Sequence, residues 1–287
     1  MRFIIIMITT AILAFSGCVI GANEKIEEIA TGFKFTEGPV WSADGKLLFS
    51  DIPANKIYVY DGKDAEVLYD QSGNSNGLIF DFDDRLIACE HGNRRVARYE
   101  RDGSITVLAD KYEGKKLNSP NDLVMKSDGS IYFTDPTYGI KKDEQELDFQ
   151  GVYRITKDGK LELLCKDFSM PNGLCFSPDE KKLYIADSSE RRHIRVFDVK
   201  EDGTISGGEI FATVSEKGIP DGMKVDKQGN LYVAGPGGVW IFDSKGLHIK
   251  TIKVPQTPSN LNWQGKDEYK VLYVTAVSSV YKITLKK

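Results

Sequence analysis

Residues 37–51 read EGPVWSADGKLLFSD: an oxygen-bearing side chain, a short apolar run, a turn at Asp44-Gly45, and a second apolar run ending in an acid. Such a stretch predicts two short strands joined by a tight turn, because Gly reaches the positive φ the turn needs and Val, Leu and Phe suit a packed sheet. The unit recurs at Asn76 (NGLIFDFDDRLIACE), Asn121 (NDLVMKSDGSIYFTD), Asn172 (NGLCFSPDEKKLYIAD), Asp221 (DGMKVDKQGNLYVAG) and Asn260 (NLNWQGKDEYKVLYVTA). Successive starts lie 39 to 51 residues apart, room for four short strands with their turns. Further Asp-Gly pairs at 61–62, 102–103, 128–129, 158–159 and 202–203 mark turns.

Six units of this kind predict an all-β chain folded as a six-bladed β-propeller, whose sheets close radially and leave only short edges. The sixth unit runs out near Leu285 after about three strands' worth of sequence, whereas Lys25 to Phe35 precedes the first unit as an orphan strand. The N-terminal strand is therefore expected to close the last blade. Residues 25–287 carry no composition break that would divide them further.

The first residues belong to a different class. Arg2, an apolar stretch from Phe3 to Phe15, and small Ser16 and Gly17 before Cys18 make an export signal over 1–17, too short to span a bilayer as a stable helix. The run Phe15-Ser16-Gly17-Cys18 resembles a bacterial lipoprotein cleavage box, so Cys18 is expected to carry lipid and 18–24 to serve as a tether. That places the protein in the periplasm or on the cell envelope, touching membrane only through its anchor; a cleavable signal with an incidental Cys18 is the alternative. A monomer is expected. The net charge of −4 gives no electrostatic reason for a nucleic-acid partner. Cys165 and Cys175 are the one pair close enough in sequence to suggest a bridge, but buried free thiols acting as small hydrophobes are the preferred reading for these and Cys89.

The first strand of each blade lines the central channel of a propeller, so Glu37, Asn76, Asn121, Asn172, Asp221 and Asn260 are expected to ring its mouth. Turn chemistry alone would favour Asn and Asp at strand entries. Two carboxylates crowded around one axis nevertheless repel unless a cation sits between them. Calcium accepts six to eight hard oxygen ligands from carboxylates, amides and water, whereas zinc would want His or Cys, which the ring lacks. Magnesium remains possible, with a stricter octahedral demand.

Taken in order, FTEGPVW around Glu37, LNSPNDLVMKSDGSIYFTDPTYG around Asn121, MPNGLCFSPDEKKLYIAD around Asn172 and IPDGMKVDKQGNLYVAGPGGVW around Asp221 resemble the calcium-dependent lactonases that include regucalcin (senescence marker protein) and the bacterial gluconolactonases. The resemblance spans nearly the whole mature chain. It implies that Glu37, Asn172 and Asp221 hold the metal, that Asn121 lies at or beside it in contact with substrate, and that Asp221 is the catalytic acid or base. Animal members carry Arg for sugar contact where this chain has Ser119, so their sugar preference does not transfer.

Other residues invite weaker expectations. His91 and Arg94 follow the second strand of the second unit, where they would either face the mouth and touch substrate or lie in an exposed turn. Asp51, Glu90, Asp135 and Asp187 close second strands and are read as turn groups rather than a second cation site. Thr137 to Gln150 is the longest insertion, a candidate lid over the mouth or a solvated loop. Trp41, Trp240 and Trp263 are read as core between blades, and Gly235, Gly237 and Gly238 lack the βαβ unit of a dinucleotide loop. The expected activity is calcium-dependent opening of sugar lactones by water. The alternatives are a non-catalytic calcium-stabilised binding propeller and a hydrolase of other esters or phosphotriesters.

Overall fold

A computed structural model describes residues 24–214, 217–265 and 269–285. The predicted signal at 1–17, Cys18 and the tether up to residue 23 lie outside them. Six four-stranded antiparallel sheets are present, five of them running in chain order from the channel outward. Blade 1 is Thr36–Trp41, Leu47–Asp51, Lys56–Tyr60 and Ala65–Asp70. Inner strands of blades 2 to 5 are Ser75–Phe80, Leu123–Met125, Pro171–Phe176 and Met223–Val225. Blade 6 takes Pro258–Trp263, Val271–Ala276 and Ser279–Thr284 from the C-terminal end, and Lys25–Thr31 completes it as the outermost strand, Lys25 opposite Thr284. The orphan strand thus fastens the ring, as the truncated sixth unit implied.

Six apolar clusters form among the described residues, one in each seam between blades. Leu47 and Phe49 face the seam with blade 6, while Leu48 and Ile57 face blade 2. Both faces of each sheet are covered, so second strands read as unbroken apolar runs rather than alternating ones. Each fully buried Leu or Phe of this kind contributes about 1.5–3 kcal/mol. Trp240 and Trp263 lie in these seams, and Trp41 stacks on Tyr273 with ring centres 5.1 Å apart. The turn glycines Gly45, Gly62, Gly103, Gly129, Gly159 and Gly203 all take positive φ. Cys89, Cys165 and Cys175 are free thiols, so the Cys165–Cys175 bridge is not made.

Candidate metal centre and active site

Each ring residue opens an inner strand or stands just before one, and its neighbours in sequence explain its placement. In four units the following residue is Gly. A Cβ on Gly38 would fall 2.0 Å from the Asn76 carbonyl oxygen, and one on Gly173 would fall 2.3 Å from that of Asp221. Backbone packs on backbone there, drawing adjacent ring positions together. Hydroxyls from one blade then tie the next: Ser50 Oγ donates to Asn76 O at 2.8 Å, Thr134 Oγ1 to Asn172 O at 2.8 Å, and Ser259 Oγ to Thr36 O at 2.7 Å.

Acids at the ends of second strands fix the approach to the ring. Asp51 accepts from Lys34 N (3.0 Å) and Phe35 N (3.1 Å), Asp135 from Asn118 N (2.8 Å) and Ser119 N (2.7 Å), and Asp187 from Ser169 N and Met170 N (both 3.1 Å). In blade 2, Glu90 instead pairs with Arg95 at 2.7 Å and accepts from Asn93 and Tyr99. Asp51, Asp135 and Asp187 thus pin entry loops, whereas Glu90 pins the turn and third strand of its own blade.

At the mouth itself, Glu37, Asn121 and Asn172 are buried and Asp221 is partly open. Glu37 Oε2 accepts from Gly38 N at 2.8 Å and from Asn260 Nδ2 at 3.0 Å. Burial, followed by the charge of Asp122, raises the Glu37 carboxyl to about 7 despite those donors and Lys224. Asp221 is pushed well above the usual carboxylate range by burial, then by Glu37 and Asp122, with the Asn172 amide and Gly222 N–H opposing. Buried acids raised in this way by burial and by a neighbouring carboxylate, Asp122 at Glu37 and both Glu37 and Asp122 at Asp221, mark a place where positive charge is missing.

Sequence reasoning passed over Asp122 and undervalued Asn260. Asp122 occupies the position that is Gly in four other units, is buried, and reaches across to Asn260 Nδ2 at 3.4 Å. Asn260 therefore bridges Glu37 and Asp122 rather than serving a turn. The legible signal was the break in the glycine pattern at 122.

His91 is neither an exposed turn residue nor open to solvent. It is buried, its Nε2 stands 3.2 Å from Asn76 Nδ2, and burial lowers its pKa to about 4, so it is neutral. With the amide nitrogen so engaged, buried Asn76 Oδ1 has no hydrogen-bond partner. Arg94 differs from expectation too: its Nε donates to Leu117 O (2.7 Å) and Asn118 O (3.2 Å), clamping the chain before Asn121 rather than reaching for the mouth. The insertion after blade 3's second strand divides into two parts. Its exposed stretch holds a single 3-10 turn, Lys142–Glu144, while Gly139 N donates to Ser119 Oγ at 2.9 Å and the Tyr138 hydroxyl lies toward the side chains of Ser188 and Asn172.

The donors themselves show how well a dication suits the ring. Among the described residues no group of three or more His, Cys, Asp or Glu side chains gathers as a metal cluster. The mouth instead offers two carboxylates, Glu37 and Asp221, with the amides of Asn172 and Asn121 and the orphaned oxygen of Asn76. Hard oxygens of mixed charge with room for water fit calcium, and less well magnesium; they do not fit zinc.

Residues 35–278 match the family described as SMP-30/gluconolactonase/LRE-like region. The chain belongs to this family. Within it, the gluconolactonase of Zymomonas mobilis is 33% identical over 93% of this chain and 83% of its own length. A gluconolactonase structure from Xanthomonas campestris superposes with a TM-score of 0.85 at 34% identity, covering 92% of this chain and 90% of that one. A calcium-binding regucalcin from Agrobacterium tumefaciens shares the fold at a TM-score of 0.76 and 21% identity, over 89% of this chain and 92% of its own. The SMP-30/gluconolactonase match covers blades 1 to 5 and the two inner strands of blade 6, the whole set of ring positions included.

Proposed function

We propose that this chain is a calcium-dependent lactonase that opens sugar lactones with water. The observation that carries the reading is the crowding of the carboxyls Glu37 and Asp221, each penalised by burial and by a neighbouring acid, among amide oxygens at one channel mouth. The gluconolactonases of Z. mobilis and X. campestris support the substrate class, and the regucalcin of A. tumefaciens supports the ion.

Glu37, Asn172 and Asp221, with Asn121 beside them, would hold the cation. When bound it supplies a Lewis acid for the lactone carbonyl oxygen. Asp221, the most open of the ring acids and ionised once a cation is bound, would take the proton of the attacking water and return it to the ring oxygen as the acyl C–O bond breaks, while Asn121 orients the substrate beside it. The buried ring and its tied backbones keep these groups in place without reorganisation during the reaction. Export and lipid attachment at Cys18 complete the proposal and predict that Cys18→Ala abolishes fatty-acid labelling of the cell-expressed protein.

The test is chelation followed by readdition of calcium or magnesium, assayed on gluconolactone, other aldonolactones, a simple ester and a phosphotriester. Hydrolysis of aldonolactones is expected to vanish with chelator and return with calcium. Asp221→Asn is expected to lower kcat about 10²-fold or more, as for loss of a general base, while Asn121→Ala chiefly raises KM. Calcium-restored stability with no turnover on any substrate would refute the enzyme. Equal, modest effects of the two substitutions would refute the division of roles.

A further inference from the structure

Tyr138 is held from two sides. Behind it, Gly139 lies so close to blades 2 and 3 that a Cβ would come within 2.3 Å of Ser119 Oγ and 2.8 Å of His91 Cβ, so only glycine keeps the chain at this depth. Thr137 N donates to Gln150 Oε1 at 3.0 Å, and Gln150 Nε2 donates to Ser169 O at 2.5 Å. In front, the Tyr138 hydroxyl lies toward the Ser188 and Asn172 side chains of blade 4 and feels the charge of Asp221 in blade 5. The side chain thus crosses the rim from one blade to the next.

Although its hydroxyl is tethered, Tyr138 remains 43% exposed. An aromatic ring pinned at both ends and open beside a polar mouth is a pre-organised contact surface, lost to no rotamer freedom when a ligand arrives. Aldonolactones have the matching shape, with an apolar C–H face and a rim of hydroxyls. Asn76 Oδ1, buried and unpartnered, stands ready for one such hydroxyl or for a water that binds it.

We propose that Tyr138 is a specificity-determining residue: its ring packs on the C–H face of a hydroxylated sugar lactone whose carbonyl points toward Glu37, Asn172 and Asp221. The inference rests on the lactonase reading and deepens it, since it selects aldonolactones over unsubstituted alkyl lactones. Ring exposure and the two-sided tether carry it.

The test compares wild-type enzyme, Tyr138→Ala and Tyr138→Phe on gluconolactone and γ-butyrolactone, with calcium affinity measured by calorimetry and folding by thermal unfolding. Removing the ring is expected to raise KM for gluconolactone about tenfold with a smaller change in kcat, and so to lower the gluconolactone-to-butyrolactone ratio of kcat/KM by about that factor. Tyr138→Phe, which keeps the ring and loses the tether, is expected to retain most of that ratio. An unchanged ratio in Tyr138→Ala overturns the proposal. So does a fall in kcat on both lactones that tracks a loss of calcium affinity, because Tyr138 would then only support Asn172. Wild-type enzyme that hydrolyses neither lactone overturns the lactonase reading and this one together, whereas active wild type with an indifferent alanine variant overturns this one alone.

Discussion

Glu37 and Asp221 keep their protons at pH values where carboxylates in an unfolded chain would have lost them, because burial and then a neighbouring acid, Asp122 at Glu37 and Glu37 with Asp122 at Asp221, penalise the charged forms. The sign for stability follows directly. A carboxyl raised from 4.5 to about 7, as Glu37 is, favours the calcium-free fold at low pH, and that contribution is lost as the pH rises through about 7. Calcium bound as proposed would have to displace those protons, so its affinity would run the other way. Its Kd is expected to fall about tenfold or more between roughly pH 6 and pH 8, with proton release visible in calorimetry across buffers of different ionisation heat. A Kd independent of pH over this range would mean that the cation does not relieve these carboxylates. At this scale the sequence was legible where residue type and repeat position agreed, as at Glu37, Asn172 and Asp221. It was illegible where contact decided the role: nothing in HGNRR separates a buried neutral His91 bonded to Asn76 from a surface turn, and Arg94 turns inward only because the chain before Asn121 presents carbonyls to it.

Strands and turns were easier to read than the groups that join them. The Asp-Gly pairs marked turns whose glycines do take positive φ, and apolar runs marked strands buried on both faces. The acids closing second strands were harder, because a strand-end carboxylate looks alike in sequence whether it binds a cation or backbone N–H groups. Asp135 does the latter. It holds Asn118 N and Ser119 N and so sets where Asn121 enters the mouth, while burial raises its own carboxyl to about 7 against those two bonds. Asp135→Ala would orphan both amides, at about 1–3 kcal/mol each, and should destabilise the protein by about 2–5 kcal/mol in thermal or denaturant unfolding. It should also raise KM, through displacement of Asn121, more than Asp51→Ala does, since Asp51 supports the entry to blade 1 instead. Equal effects of the two on KM would place the control of Asn121 elsewhere.

Closure of the ring links the fold to the site across the longest separation in the chain. Lys25–Thr31 pairs along Ser279–Thr284 within blade 6, and across the seam from blade 6 to blade 1 Asn260 donates to Glu37, so one candidate ligand is oriented by a residue 223 positions away. Thr36 and Ser279, joined through Thr36 Oγ1 at 3.0 Å, lie between the outer strand and the mouth. If the seam opens, Glu37 and Asn260 separate, and the cation loses a ligand held in register. A calcium ion that binds only the closed ring should in turn stabilise closure by mass action. Removing residues through Thr31 leaves Ser279–Thr284 as an unpaired edge and strips the half-buried Ile26, Ile29 and Ala30 from the blade 6 and blade 1 cores. The truncated protein is expected to lose roughly 10 °C or more in Tm, several kcal/mol at about 2–4 °C per kcal/mol. The more telling quantity is the calcium-induced rise in Tm, expected in the full-length protein and largely absent after truncation. A truncated ring that melts early yet gains as much from calcium as the intact one would show that the outer strand supports stability without governing the mouth. A shift lost along with the strand would instead tie metal binding to the meeting of the chain's two ends.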